Sequence, residues 1–208
     1  MHSDITGIIL SGGKSLRMGE NKSFLKIGGI TLIERITDLM KSVFENVILI
    51  SNTSEEYKYL NIPVYEDVYK GKGPLAGIHS GLVNSRTQKN FITACDIPLL
   101  TKDVIEFIIN YESDKLAVVP KANGFVQQLC GLYSKGCLME IENILMNVYT
   151  EGRDAEQKKR KCSVLSLIEK VDGKIIDMES QYPEYSEYIF MNVNTPEDYE
   201  FLKCKMIS

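Results

Sequence analysis

The sequence predicts a three-layer α/β protein: a doubly wound, mostly parallel sheet between helices, with some antiparallel strands in its C-terminal half. Two observations carry this. Up to about residue 120, short apolar runs take turns with segments of helical periodicity, the pattern of buried parallel strands joined by right-handed crossovers. Beyond that point strand-like runs follow one another without a helix between them, which calls for antiparallel pairing.

Taken in order, Ile5 to Leu10 (ITGIIL) is an apolar run closed by Ser11-Gly12-Gly13, a buried strand entering a turn. Thr31-Leu32-Ile33-Glu34 has the form of a capping box, and apolar residues at 32, 33, 36, 39, 40, 43 and 44 give the helix that follows one buried face. Val47 to Ile50 is the next strand, Ser54 to Leu60 a polar, helical stretch, and Ile62 to Tyr65 a short strand. Leu75 to Val83 reads as helix and Phe91 to Ala94 as a buried strand ending at Cys95-Asp96. Thr101 caps a helix whose Val104, Ile105, Ile108 and Ile109 share a face, and Leu116 to Pro120 is a further strand. Gly124 to Tyr133 holds one or two strands, and Lys135 to about Ile168 is helical. Lys174 to Met178 and Ile189 to Val193 are strand candidates, and Thr195-Pro196-Glu197-Asp198 opens the last helix with a cap, a proline at its first position and acids in its first turn.

Composition narrows the function classes. The chain has 208 residues, 44% hydrophobic and 25% charged, which is ordinary globular material able to bury a large core. Its formal charge of −4, without a long basic stretch, argues against nucleic acid as a partner. No apolar run approaches the ~18 residues of a membrane span, and the start lacks the pattern of a secretory signal, so the expected location is cytoplasmic. The five cysteines are odd in number with no C-x-x-C spacing, and His2 and His79 belong to no ligand cluster. Disulfide frameworks, zinc sites and Cys/His nucleophilic chemistry are thereby disfavoured.

In a doubly wound sheet ligands lie outside the carboxyl ends of the strands. After the first strand comes LSGGKSLRMGENK, with Gly12, Gly13 and Gly19 interleaved with Lys14, Arg17 and Lys22. Glycines alone are common in loops, but with these cations they suit a polyphosphate. Walker A fails because Ile8 stands where its first glycine belongs, and the G-x-G-x-x-G fingerprint fails because the glycines are adjacent. Asp96 follows a buried strand. One carboxylate beside a polyphosphate is how Mg²⁺ is usually held, although an Asp before Ile97-Pro98 also suits a turn. Asp67, also just past a strand, can meet a sugar, a base or a metal-bound water.

LSGGKSLRMGENK, GPLAGI (Gly73 to Ile78), CDIP (Cys95 to Pro98) and NVNTPED (Asn192 to Asp198) occur in this order and at compatible spacing. In these motifs the chain resembles the molybdenum-cofactor guanylyltransferases, a branch of the Rossmann-like nucleotidyltransferases, over roughly Ile5 to Phe201. The resemblance implies one nucleotidyltransferase domain over 1–208, with a nucleotide-binding half to about 120 and a pterin-side half from about 121. It implies that Leu10, Ser11 and Gly12 meet the nucleotide through main-chain groups and that Gly13 permits the approach. Arg17 and Lys22 would bind the triphosphate, Asp67 would contact the nucleotide, and Gly73-Pro74 would shape the wall beside it. Asp96 would ligate Mg²⁺, making Arg17, Lys22 and Asp96 the catalytic set, while Gln128, Asn192 and Asn194 would face the pterin. Asn21 stands where the family often has Asp, and Gln128 replaces a common proline; Asn52 lies two residues beyond Ile50 where some members place a nucleotide-contacting Asn at once, and it is carried as a candidate nucleotide-binding residue.

The reaction so implied joins GTP to molybdopterin, or the molybdenum cofactor, whose terminal phosphate attacks the α-phosphorus and expels pyrophosphate. A phosphate monoester is mostly ionised at neutral pH, so no general base is required. Other cofactor-assembly proteins are possible partners. Three rivals stay open: a cytidylyltransferase or another nucleotidyltransferase of this fold, a P-loop-like GTPase using Lys14 and Ser15, and a nucleotide-binding module that does not turn over. Base preference is hard to read because main-chain groups of residues 10–12 would meet the base. The run Lys158 to Lys161 fits a solvated helix face better than a pterin-attracting patch, and Leu138, Met139, Ile141, Leu145 and Val148 fit core positions.

Overall fold

The computed structural model describes residues 1–12, 21–150 and 163–207, with side chains to 146 and to 206 in the last two spans. Among them, strands β1 (His2–Leu10), β4 (Phe44–Ile50), β5 (Val64–Tyr65), β6 (Lys89–Ala94), β7 (Ala117–Ala122), β9 (Cys130–Ser134) and β10 (Lys174–Asp177) form one sheet. Its order is β10-β7-β9-β6-β1-β4-β5, and the short β8 (Phe125–Val126) pairs with β7. β5, β4, β1 and β6 run parallel. β9 runs antiparallel to both its neighbours, β6 and β7, and β10 is parallel to β7. A separate hairpin, β2 (Lys26–Ile27) with β3 (Ile30–Thr31), follows the first crossover loop.

The helices are α1 (Leu32–Val43), α2 (Pro74–Asn84), α3 (Lys102–Ile109), α4 (Leu138–Thr150), α5 (Val164–Lys170), α6 (Met178–Gln181) and α7 (Pro196–Ile207). Strand alternation divides the core in two. Ile5 and Ile9 of β1 pack with Ile36 and Met40 of α1 and Ile105 of α3. Ile8 and Leu10 face the other way, into a layer with Leu75 and Ile78 of α2, Ile141 of α4 and Leu167 of α5. Gly7 lets α1 settle on β1, because a Cβ there would stand 2.8 Å from both Met40 and Phe44 side-chain atoms. A third, small cluster of Ile27, Leu32, Val193 and Leu202 ties the hairpin and α7 to the segment before α7.

Local signals resolve as local physics predicts. Thr31 and Glu34 close both bonds of a capping box, and Thr101 caps α3 by accepting the amide of Val104. Gly124 to Tyr133 resolves into two short strands separated by a turn. The helical stretch Ser54–Leu60 is a 3-10 helix. Two expectations change. Ile189 to Val193 joins no sheet: Met191 bonds back to Tyr188 and Val193 to the backbone of Asp96. Met139 is exposed, whereas Ile141 and Leu145 are buried as expected. Val148 and Lys158 to Lys161 lie outside the described side chains. No helix among the described residues is long and apolar enough to cross a membrane.

Candidate active site

The crossovers from β1 to β4 and β5 run one way and those to β6 the other, so the sheet's switch point lies between β1 and β6. The chain leaves β1 at Ser11-Gly12 and leaves β6 at Cys95-Asp96, and these two ends are joined. The Cys95 amide donates to the Leu10 carbonyl at 3.2 Å, and the Ser11 amide donates to Ile50 of β4 at 3.0 Å. Gly12 is exposed, and a Cβ added to it would meet nothing within 4 Å among the described residues. Gly13 and Arg17 lie outside the described residues.

Asp96 is half-buried, and its Oδ1 is fully buried with no hydrogen-bond partner among the described residues. Burial pushes its carboxyl above the usual carboxylate range, opposed by a backbone amide and by the positive charge of Lys22. The same lysine donates from Nζ to Oδ1 of Asn194 at 3.0 Å and helps hold Asp198 low. Asp198 accepts the amides of Asn194 and Thr195, capping α7. The amide of Val193 donates to the Asp96 carbonyl at 3.0 Å. Through these bonds the chain brings Lys22, Asp96 and the Asn192–Asn194 segment together, although the lysine and the asparagines are far apart in sequence. The side chain of Asn192 turns back to the carbonyl of Phe190.

A second group sits at the ends of β4 and β5. Asn52 donates to an Asp67 carboxylate oxygen at 2.7 Å and accepts the Asp67 amide at 3.1 Å, so the pair is locked reciprocally. Ser80 of α2 holds the same loop by accepting the amide of Val68 at 2.8 Å. Gly73 has φ of +73°, a conformation L side chains avoid, and it lets the chain turn into Pro74 at the start of α2. The Cβ position of Gly77 lies 3.4 Å from Leu10 and 3.8 Å from Asp67, so this helix bridges the two groups. Gln128 lies in the turn between β8 and β9, where the Ala94 amide donates to the Leu129 carbonyl and Tyr133 donates to the Gln128 carbonyl.

Sequence reasoning missed a third layer beneath these residues. Ser11, Ser23 and Tyr57 are buried and bond to one another, with Asn21 at one end of the chain of bonds and Cys95 at the other. Asn21 and Ser23 flank Lys22 and so were within reach of a motif reading. Tyr57 had no local signal. Cys95 is no nucleophile: burial, and next the charge of Asp96, push its thiol up.

A family model described as a MobA-like NTP transferase domain matches residues 7–161. A probable molybdenum cofactor guanylyltransferase of Carboxydothermus hydrogenoformans is 37% identical over 201 residues, covering 96% of this chain and 95% of that protein. The molybdenum cofactor guanylyltransferase of Desulfosudis oleivorans is 35% identical over 203 residues, covering 94% and 93%. The crystal structure of molybdopterin-guanine dinucleotide biosynthesis protein A from Archaeoglobus fulgidus shares the fold, with a TM-score of 0.78 at 20% identity over 96% of this chain and 97% of that one. The strand order, with its switch point between β1 and β6, and these relatives agree: the chain belongs to the MobA-like NTP transferase family and, within it, to the molybdenum cofactor guanylyltransferases.

Proposed function

We propose that this chain transfers GMP from GTP to the terminal phosphate of molybdopterin, or of the molybdenum cofactor, through the crevice between β1 and β6. The observation that carries the site assignment is the buried, unpartnered Oδ1 of Asp96 beside the charge of Lys22. A carboxylate desolvated in this way is poised for a cation that binds with it, and one such ligand suits Mg²⁺, which takes its other ligands from phosphates and water. Among the described residues no group of three or more His, Cys, Asp or Glu could hold a metal, so a fully protein-made cage is not what these residues offer. When bound, Mg²⁺ would neutralise charge that builds on the phosphates.

The chain's own residues do the rest. Main-chain groups of Leu10, Ser11 and Gly12, with Gly13 beyond them, receive the nucleotide. Lys22 binds the triphosphate together with Arg17, Asp67 meets the nucleoside in the pose set by Asn52, and Gly73-Pro74 form the wall. Gln128, Asn192 and Asn194 face the acceptor. An oxygen of the acceptor's terminal phosphate forms a bond to the α-phosphorus, the bond from that phosphorus to the bridging oxygen breaks, and pyrophosphate departs. The attacking oxygen is already ionised, so the work is positioning two anions and balancing their charge. Because Lys22 bonds to Asn194, one cation touches both the donor and the acceptor sides.

Incubation with GTP, Mg²⁺ and molybdopterin tests this, with pyrophosphate and the dinucleotide as readouts and the other nucleoside triphosphates as a panel for base preference. Asp96→Ala is expected to stay folded and to lose turnover by at least about a hundredfold. Product at the wild-type rate from that variant overturns the assignment of Asp96.

A further inference from the structure

Tyr57 lies on the 3-10 helix after β4, outside every motif that relates to chemistry, yet it is buried under the site. Its hydroxyl lies 2.9 Å from Ser11 Oγ and accepts from Asn21 Nδ2 at 3.0 Å. Ser11 Oγ lies 2.7 Å from Ser23 Oγ, which lies 3.3 Å from the Cys95 sulfur. The amide of Asn21 has only one possible orientation, because its oxygen accepts the Ser23 amide at 3.1 Å. Its NH₂ group must therefore face Tyr57 and, at 3.4 Å, the Glu56 carboxylate. An amide NH₂ only donates, so Tyr57 accepts from it and can pass its own proton to Ser11, as Ser11 can to Ser23 and Ser23 to the sulfur. The phenol is further held by Phe24, stacked on it at 5.3 Å between ring centres.

This chain of bonds has a particular span. Ser11 is where the chain leaves the crevice after β1, and Asn21 to Ser23 is where it returns, the stretch 13–20 between them lying outside the described residues. Cys95 is the residue before Asp96. Ser11, Lys22 and Asp96 come from three separate points of the sequence, and among the described residues these buried hydroxyls bind their three neighbourhoods to one another.

We propose that Tyr57, with Asn21 and Ser23, is a positioning residue of the nucleotide site: the Asn21–Tyr57–Ser11–Ser23–Cys95 hydrogen-bond chain sets where Lys22 and the Ser11-Gly12 backbone stand relative to Asp96. The inference rests on the nucleotide-binding reading above and concerns Tyr57, Asn21 and Ser23, to which that reading gives no substrate contact. The Ser23 amide fixes the polarity at the open end of this hydrogen-bond chain, where the Glu56 carboxylate also accepts from the Asn21 NH₂. An aspartate at position 21 would set two carboxylates against each other there, and a glutamine at 56 would remove the conflict while the hydroxyls reversed direction.

Calorimetric titration of the full chain with Mg²⁺ and GTP tests it directly, beside steady-state kinetics. Tyr57→Phe is expected to weaken GTP binding about tenfold, what one buried hydrogen bond is worth at its upper end, and to change kcat at saturating GTP and the KM for molybdopterin by less than about twofold. Asn21→Asp is expected to weaken GTP binding about fivefold, and Asn21→Asp with Glu56→Gln to restore it to within about twofold. A Tyr57→Phe protein that binds GTP as the wild type does, or a double variant no better than Asn21→Asp, overturns the inference. So does a Tyr57→Phe protein whose kcat drops and whose KM for molybdopterin rises as much as its GTP affinity weakens, the mark of a general loss of structure. A wild-type protein that binds no nucleoside triphosphate overturns the functional reading and this inference together.

Discussion

Burial works against Asp96 until something positive meets its carboxylate. Its carboxyl lies above the usual range because the site desolvates it. A carboxyl raised in this way holds its proton more tightly in the fold than in the unfolded chain. Its ionised form therefore lowers stability at every pH above the raised value, and that loss fades as pH falls through it toward the ordinary 3.8. Asn at this position cannot ionise. Ligand-free Asp96→Asn is expected to melt at or above the wild-type temperature near neutral pH, with the gap closing in acid. Mg²⁺ with GTP would then raise the melting temperature of the wild type alone. Scanning calorimetry with and without both ligands checks this. A variant that melts several degrees lower in their absence would make Asp96 a structural residue instead. At the same scale Asn21, which departs from a common family aspartate, is explained by its surroundings: its NH₂ donates to Glu56 and Tyr57, which a carboxylate cannot do.

Among the elements, β9 was the hardest to foresee. Its residues are mostly apolar and buried, so a strand was legible, and the lack of an intervening helix called for antiparallel pairing, but partner choice is non-local, and nothing in the run CGLYS says that it inserts between β6 and β7. By contrast β1, β4 and β6, the α1 capping box and the start of α7 were legible because periodicity and caps are local. The apolar run Ile189–Val193 misled for the same reason in reverse: its hydrophobic residues serve the clusters around Phe190 and Val193 and not a strand ladder. Candidate site residues at strand ends could be named from the sequence because a parallel sheet puts ligands there. Tyr57 was not, since its role exists only once β4 and β1 are side by side. The buried position of β9 has a measurable result. Cys137, just beyond the strand, is pushed up to about 11 from an ordinary 9.0, and burial raises Cys130 and Tyr133 further. The unfolded chain sheds these protons near their ordinary values while the fold keeps them, so stability falls as pH climbs past 9.0. Each group can contribute up to about 1.4 kcal/mol per pH unit. Urea denaturation between about pH 8 and about pH 10 should show this decline, and Cys137→Ala should make it shallower despite a small loss of packing. An unchanged slope in that variant would separate the alkaline loss from this thiol.

Over the whole molecule, a net charge of −4 is a poor match for two anionic substrates, and we propose that the attraction is local, through Lys22 and the cations of the preceding stretch. The same question of local against global bears on domain organisation. We propose that 1–208 is one folding unit, although a nucleotide side and an acceptor side can be told apart near residue 120. The seam between them is a strand ladder: β9 of the second half pairs with β6 of the first from Lys89–Ser134 to Thr93–Cys130. Both core layers also cross it, one holding Ile9 with Cys130 and Ile176, the other Ile8 with Tyr133 and Ile168. Parting the halves would strip backbone partners from β6 and open both layers to water, a penalty neither half can meet by itself. Unfolding should accordingly be a single transition. The chain has no tryptophan, and its tyrosines report on both sides of the seam, Tyr57 in the first half and Tyr133 in the second. Near-ultraviolet circular dichroism of the tyrosines and far-ultraviolet signal from the backbone should give coincident midpoints in urea, and calorimetric and van't Hoff enthalpies should agree. Two resolved transitions, one that GTP with Mg²⁺ shifts and one that they leave in place, would show instead that the halves fold as separate domains.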